Sequence, residues 1–284
     1  MAGYGISDVP TIELADDEQK LLSSLGANST QSALMAEASI LTDEWDQVIG
    51  PGSKIAAHRG TGAYHRAFSV LLFDNQKRLL LQRRASDKVT FPGVWANSCC
   101  SHPLHCDEEM EEADAIGSKR AAVRKLEQEL GIAPGQVPLD SFHFITKMRY
   151  SSRMNETWTE REIDHILVIQ ADVDLDPNPN EISEIKWVSE EELEALLIDE
   201  EQTEGVIAPW FRCIAARVMD ETWWDAVGDA DALAELVDGK IHDMGDVSHL
   251  LPDAQGADLM TSLAEVKPLV EARIERALTP VSYT

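Results

Sequence analysis

The sequence predicts an α+β protein, a mixed β-sheet held between helices as an α/β/α sandwich. Three stretches carry that expectation. Residues 66–84, RAFSVLLFDNQKRLLLQRR, set two apolar runs around an Asp-Asn-Gln turn; residues 108–130 show a helical apolar face; and residues 161–173, REIDHILVIQADV, are rich in β-branched side chains. With 284 residues and 44% apolar content, the chain can bury the core of one large domain or two modest ones.

Residues 1–39 are acidic and weakly periodic and read as an N-terminal extension with a short helix around 30–39. Residues 40–244 read as the main domain. Its first regular unit is the hairpin of 66–84, after which Pro92 and Gly93 keep FPGVWANS extended or looped. A helix follows over 108–130, with Ala122, Val123, Leu126 and Leu130 on its apolar face and Gly131 as its stop. Strands are expected at 141–150 and 161–173, a turn at DLDPNPNEIS, a short strand at EIKWVS, and a helix at 190–200 capped by Ser189. Two further helices are expected over 208–228 and 229–238. Residues 245–284 read as an acidic C-terminal extension with a helix near 258–277, and no internal repeat occurs.

Charge narrows the class of partner. With 24 basic and 51 acidic residues, a formal charge of −27, the surface repels nucleic acid and anionic membranes. Such an acidic balance suggests a halophilic protein. No run is long and apolar enough to span a bilayer, and MAGYGISDVPTIELADDEQK has no basic region followed by an apolar core. A cytoplasmic monomer is the expectation. In so acidic a chain, clustered Arg and Lys require a local reason.

Residues 97–106, NSCCSHPLHC, hold three of the four cysteines and two of the eight histidines. A chain without an export signal argues against a disulfide framework. Adjacent Cys99 and Cys100 cannot both ligate one tetrahedral ion without strain, no second Cys pair follows, and no C-x-x-C is present. Cys99 and Cys106 read as small buried apolar residues. Cys100 and His102, at i and i+2 in extended backbone, share one side. His58 and His65 flank the entry to the first long strand, and Glu160 and Glu162 share one strand face. Three His and two carboxylates make a site suited to Mg²⁺, Mn²⁺ or Zn²⁺ if the fold brings them together.

These stretches resemble the type I isopentenyl-diphosphate Δ-isomerases, a family with a Nudix-like fold. HRAFSVLLF (65–73), RRASDKVTFPGVWANSCCSHPL (83–104) and EREIDHIL (160–167) carry the resemblance, supported by RKLEQELGI (124–132), NEISEIKWVS (180–189) and APWFRCIAA (208–216). It spans about residues 40–244. The resemblance implies an isomerase of isoprenoid biosynthesis that interconverts isopentenyl and dimethylallyl diphosphate. It implies His58, His65, His102, Glu160 and Glu162 as the metal cage, and Cys100 and Glu162 as the catalytic pair with Tyr150 supporting the glutamate. It further implies Trp210 facing the allylic group, Lys54, Arg84, Lys88 and Ser101 as substrate contacts, and Glu129 holding a second Mg²⁺ against the diphosphate.

The chemistry suits these residue types. Moving the double bond requires a proton added at C4 and one removed from C2, hence an acid and a base on opposite sides of the alkene. Which of Cys100 and Glu162 gives the first proton is left open. Two rival readings stand beside this one. A Nudix hydrolase carries G-x₅-E-x₇-R-E-U-x-E-E-x-G-U, with U a bulky apolar residue. Here Lys125 and Gln128 replace two of its glutamates and Ile116 a third, which removes most carboxylates that would activate water. Lys125 also stands where some isomerases have an arginine, keeping charge but losing the bidentate fork. A non-catalytic binding module of the same fold leaves the run around Cys100 without a purpose.

Overall fold

The computed structural model describes residues 9–198, 206–219 and 221–251, together with Pro268. Its centre is strand β3 (His65–Phe73), buried at all nine positions. A strand covered on both faces reads as a continuous apolar run, which is why HRAFSVLLF does not alternate. β3 pairs in parallel with β8 (Thr159–Gln170) from His65↔Glu162 to Phe73↔Gln170. On its other side it pairs antiparallel with β6 (Cys99–Ser101), Ser69 opposite Cys100, and meets β1 (Ala38–Thr42) at Leu41↔His65. The sheet runs β10-β7-β8-β3-β1-β2, where β2 is Val48–Ser53, β7 is His143–Arg153 and β10 is Ile241–Asp246. β4 (Leu79–Arg84), β5 (Trp95–Ala96) and β9 (Ile182–Val188) branch from β3.

The hairpin expected at 66–84 is present but splayed. β3 and β4 share only the pair Phe73↔Leu79, after which β4 turns away to β9 and β5. The turn is held by Asp74, whose Oδ1 accepts from the N–H groups of Gln76 and Arg78, each at 2.8 Å. Across the opening, side chains replace ladder bonds. Ser98 Oγ accepts from Leu72 N at 2.8 Å and donates to Leu80 O at 2.7 Å, stitching the two strands together.

The helix expected over 108–130 is interrupted. It consists of α4 (Asp107–Met110), a 3₁₀ turn at Ala113–Ala115 and α5 (Ile116–Leu130). Asp114 and Ala115 take left-handed φ of 53° and 49°, which folds α4 back onto α5. Gly117 permits that contact, since a Cβ there would lie 2.2 Å from Glu109 O. Glu109 fastens it by accepting from Leu104 N at 2.6 Å and Arg124 Nε at 2.7 Å. Gly131 stops α5 as expected, with φ of 69°.

N-terminal to the sheet lie α1 (Asp16–Ser24) and α2 (Ser29–Met35); the helix expected at 30–39 ends early because residues from Ala38 join the sheet as β1. The five-residue α3 (Lys54–His58) follows β2. Ser189 caps α6 (Glu190–Ile198), accepting from Glu192 N at 3.2 Å while Glu192 accepts from Ser189 N at 2.8 Å. The helix expected over 208–228 divides into α7 (Pro209–Cys213), a π turn at Ile214–Val218 and α8 (Glu221–Ala226), with α9 (Ala230–Glu235) after it. Apart from Pro268, the helix expected near 258–277 falls outside the described residues. One core lies between the sheet and α6–α9, around Leu71, Phe73, Ile166, Phe211 and Trp223; a second lies under α5, around Phe68, Val70, Leu126 and Leu167; a small third joins Leu22, Met35, Ile55 and Trp158.

The tip of the β1–β2 hairpin is pinned by Asp46, in a left-handed conformation (φ 68°) and 2% exposed. Its carboxylate accepts from Arg66 Nε at 2.8 Å and pairs with His165 Nε2 at 2.8 Å and with Lys147, on β3, β8 and β7. Burial opposes the charge, but His165, Arg66 and Lys147 outweigh it and hold the Asp46 carboxyl well below the usual range. Asp46→Asn, which tolerates the same φ, should cost about 3 kcal/mol by leaving Arg66 without its buried counter-charge, the exposed Glu112 at 3.4 Å being its remaining partner. A folded-state value below the unfolded one means this stabilisation is complete above about pH 5 and fades as acid approaches the folded value. Melting curves of wild type and variant should therefore differ widely at neutral pH and converge in acid.

Candidate active site

His58 ends α3, whose first turn Ser53 caps by accepting from Ala56 N at 3.2 Å. His65 opens β3, His102 follows β6, and Glu160 and Glu162 lie on one face of β8. One ligand atom from each of these five buried residues lies within 4.8 Å of all the others. The imidazole centroids are 4.6–5.0 Å apart. His58 Nδ1 faces Lys54 O at 2.7 Å and His65 Nδ1 faces Ala63 O at 2.8 Å. Donation to those carbonyls leaves each Nε2 as a lone pair directed inward.

Four buried atoms here have no hydrogen-bond partner: His58 Nε2, His65 Nε2, His102 Nδ1 and Glu160 Oε2. His58 Nε2 and Glu160 Oε2 are only 2.6 Å apart yet not aligned to bond. Orphaned polar atoms are costly in a protein interior, and a shared cation satisfies them. Three imidazoles with two carboxylates fit a divalent metal ion.

Beside the cage a cavity is lined by Lys54, Arg84, Lys88, Cys100, Ser101, His102, Tyr150, Glu160, Glu162 and Trp210, with Phe68 and Thr90. The register puts Tyr150, Glu162 and His65 in one row across β7, β8 and β3. Tyr150 Oη donates to Glu162 Oε2 at 2.5 Å, while Glu162 Oε1 lies 2.8 Å from His102 Nε2. Burial would raise the Glu162 carboxyl, but His65 and Tyr150 lower it on balance; burial and the neighbouring carboxylates push the Tyr150 phenol well up. Burial pushes the half-buried Cys100 thiol up to about 12, against the pull of Arg84, whose Nη1 is 3.9 Å from Sγ. Burial, with Lys125 adding to it, brings Lys54 down to about 8.

Trp210 lies on α7 with its indole N–H donating to Asn97 Oδ1 at 3.2 Å and Phe91 edge-on at 5.3 Å. Arg84 is held by the carbonyls of Phe91 and Thr90, each 2.9 Å away, and Lys88 by an ion pair with Glu181. Arg83, by contrast, faces outward toward Glu184 at 3.6 Å.

Glu129 stands apart from this group and does not line the cavity. Its carboxylate is buried behind β6, 3.6 Å from Lys125 Nζ and 3.7 Å from Cys99 Sγ. Asp164 and Asn97 also belong to the surroundings of the site and are not among the residues expected from the sequence. Asp164 continues the period-two row of Glu160 and Glu162, accepts from Ser69 Oγ at 2.8 Å, and has its carboxyl pushed well up by burial and by Glu162. Its spacing was a usable signal; Asn97, which orients Trp210, had none.

Residues 63–211 match the family model of the NUDIX domain. The chain is 46% identical over 232 residues to an isopentenyl-diphosphate delta-isomerase of Aspergillus fumigatus, covering 76% of this chain and 81% of that one. The chain belongs to the isopentenyl-diphosphate Δ-isomerase family. An isomerase of the same name from Dictyostelium discoideum is 43% identical, covering 77% of this chain and 95% of its own. One from Bos taurus is 45% identical, covering 69% and 87%. As the sequence predicted, the fold is α+β with a NUDIX domain. The buried His and Glu cage could hold a divalent metal ion. On α5, Lys125 donates to Gln128 Oε1 at 3.0 Å, so an ammonium hydrogen-bonded to a neutral amide occupies the positions of two hydrolase glutamates.

A metal in the cage should be measurable without any substrate. Elemental analysis of the purified chain should find a divalent ion, and chelation should lower the melting temperature. At a metal concentration a hundred times Kd the stabilisation is about 2.7 kcal/mol. His58→Ala should remove most of that shift, and the absence of any shift with Mg²⁺, Mn²⁺ or Zn²⁺ would refute the cage.

Proposed function

We propose that the chain interconverts isopentenyl and dimethylallyl diphosphate in isoprenoid biosynthesis, with Cys100 and Glu162 as the acid–base pair. The observation that carries this is the cavity itself, in which a thiol and a tyrosine-supported carboxylate line one chamber below a cationic wall. Of the two, the group carrying a proton adds it to C4. The π electrons form the C4–H bond and leave a tertiary cation at C3. The other group removes a proton from C2, and that bond's electrons become the new C2=C3 double bond. The reverse reaction exchanges the roles, so each group serves as both acid and base over the equilibrium.

Trp210 presents an indole face to the cation, a contact worth on the order of 2 kcal/mol in a desolvated site. Asn97 fixes the ring by accepting its N–H. Lys54, Arg84, Lys88 and Ser101 bind the diphosphate, with Arg84 locked in place by two carbonyls. His58, His65, His102, Glu160 and Glu162 would hold Mg²⁺, Mn²⁺ or Zn²⁺, which would supply positive charge beside Glu162, and Glu129 would hold a second Mg²⁺, which would neutralise diphosphate charge. Glu129 would first have to release Lys125.

Residues 40–244 form the catalytic domain in this reading, between an N-terminal and an acidic C-terminal extension. No helix among the described residues is long and apolar enough to cross a membrane. A charge of −27 disfavours nucleic acid, and we read the chain as a cytoplasmic monomer with a halophilic surface.

The test is incubation with isopentenyl diphosphate and Mg²⁺, following the acid-labile allylic product. Wild type should form it. Cys100→Ala and Glu162→Gln should each lower kcat about 10³-fold, and Trp210→Leu about 30-fold if the cation loses roughly 2 kcal/mol. No product from wild type would refute the isomerase reading, and phosphate release in its place would support a hydrolase. Full activity in Cys100→Ala would refute the mechanism alone.

A further inference from the structure

A buried carboxylate stands behind the cationic wall of the cavity. Glu181, in the turn before β9, is 1% exposed. One oxygen forms an ion pair with Lys88, and the other accepts from Gln31 Nε2 at 3.0 Å. Gln31 lies on α2 and is itself 3% exposed; its amide also donates to Asn180 O at 3.2 Å. Asn28, the cap of α2, donates to Asn180 Oδ1 at 3.2 Å. A continuous chain of polar contacts therefore runs from α2, through Glu181, to a lysine of the cavity.

The side chain of Glu181 is not needed to form its turn. Its backbone already does that, donating to Asn178 O at 2.9 Å and accepting from Ala85 N at 2.9 Å. Burying a carboxylate beside a pocket for an anion is costly on two counts: desolvation, and repulsion of the ligand. It is offset by the ammonium groups it faces. Burial raises the Glu181 carboxyl, but Lys88, Lys125 and Lys54 outweigh it and bring it down to about 2.

We propose that Glu181 is a positioning residue for Lys88 and that α2, through Gln31, holds the pair in register with the cavity. This rests on the reading of Lys88 as a diphosphate contact. An ammonium has three donors, so bonding to Glu181 leaves two for phosphate oxygens. Without Glu181, the long lysine side chain is free to rotate, and its charge faces Lys54 and Lys125 uncompensated. Like-charge repulsion then turns it out of the wall. The pocket gains net positive charge, but it loses an oriented donor, and the loss of orientation dominates. Residues N-terminal to the matched NUDIX region thereby take part in substrate binding.

A double-mutant cycle on turnover tests this, with melting temperature and metal content confirming that each variant is folded. Glu181→Gln should raise KM about tenfold with kcat within about twofold, as expected for a lost buried charge partner. Gln31→Met, close in volume, should raise KM about threefold. In a Lys88→Ala background, Glu181→Gln should change KM no further. An equal KM rise in that background would overturn the proposal, because Glu181 would then act only through the turn. An unchanged or lower KM in Glu181→Gln would overturn it too, making the carboxylate a brake on anion binding. Wild-type KM in Gln31→Met would remove α2 from the pair. Failure of the wild-type chain to turn over would instead refute the function reading.

Discussion

The parallel pairing of β3 with β8 is the constraint on which the site depends. Because side chains alternate across a strand, the register His65↔Glu162 puts an imidazole and a carboxylate on the same face of neighbouring strands. The same register continues to Tyr150 on β7. A slip of one residue in β8 would send Glu162 to the opposite face and set Arg161 or Ile163 beside His65 and Tyr150 in its place. Parallel strands cannot be joined by a tight turn, so the ligands come from segments about a hundred residues apart in sequence. The site exists only when the whole sheet does.

Around that register, burial and charge drive neighbouring groups in opposite directions. The Cys100 thiol is pushed up toward its protonated form, while the Glu162 carboxyl is pulled down by His65 and Tyr150. Asp164, two residues along the strand, is pushed the opposite way from Glu162, well up, by burial and by the Glu162 charge. Cations are treated with equal economy. In a chain with more than twice as many acidic as basic residues, Arg84, Lys54 and Lys88 are gathered at a single cavity.

Much of this was legible in the sequence. The apolar run of 65–73 and the β-branched run of 161–173 announced the two central strands, because burial on both faces leaves a compositional trace. The cage residues were visible as three histidines and a period-two carboxylate pair. What could not be read was long-range: that Glu162 lies beside His65, or that Glu129 on α5 faces Lys125 and Cys99 and not the cavity. β1 and β2 were missed because VIGPGS contains two glycines and a proline, residues that disfavour strands; here they sit at a sheet edge where that is tolerated. The break between α4 and α5 was missed because two non-glycine residues, Asp114 and Ala115, adopt left-handed backbone.

The splay between β3 and β4 gives the chain a V whose arms are backbone and whose clasp is one hydroxyl. Ser98 Oγ bridges Leu72 and Leu80, and Cys100, Ser101 and Asn97 belong to the same short segment laid into the V. The aperture between thiol and indole is consequently a property of main-chain geometry rather than of surface loops.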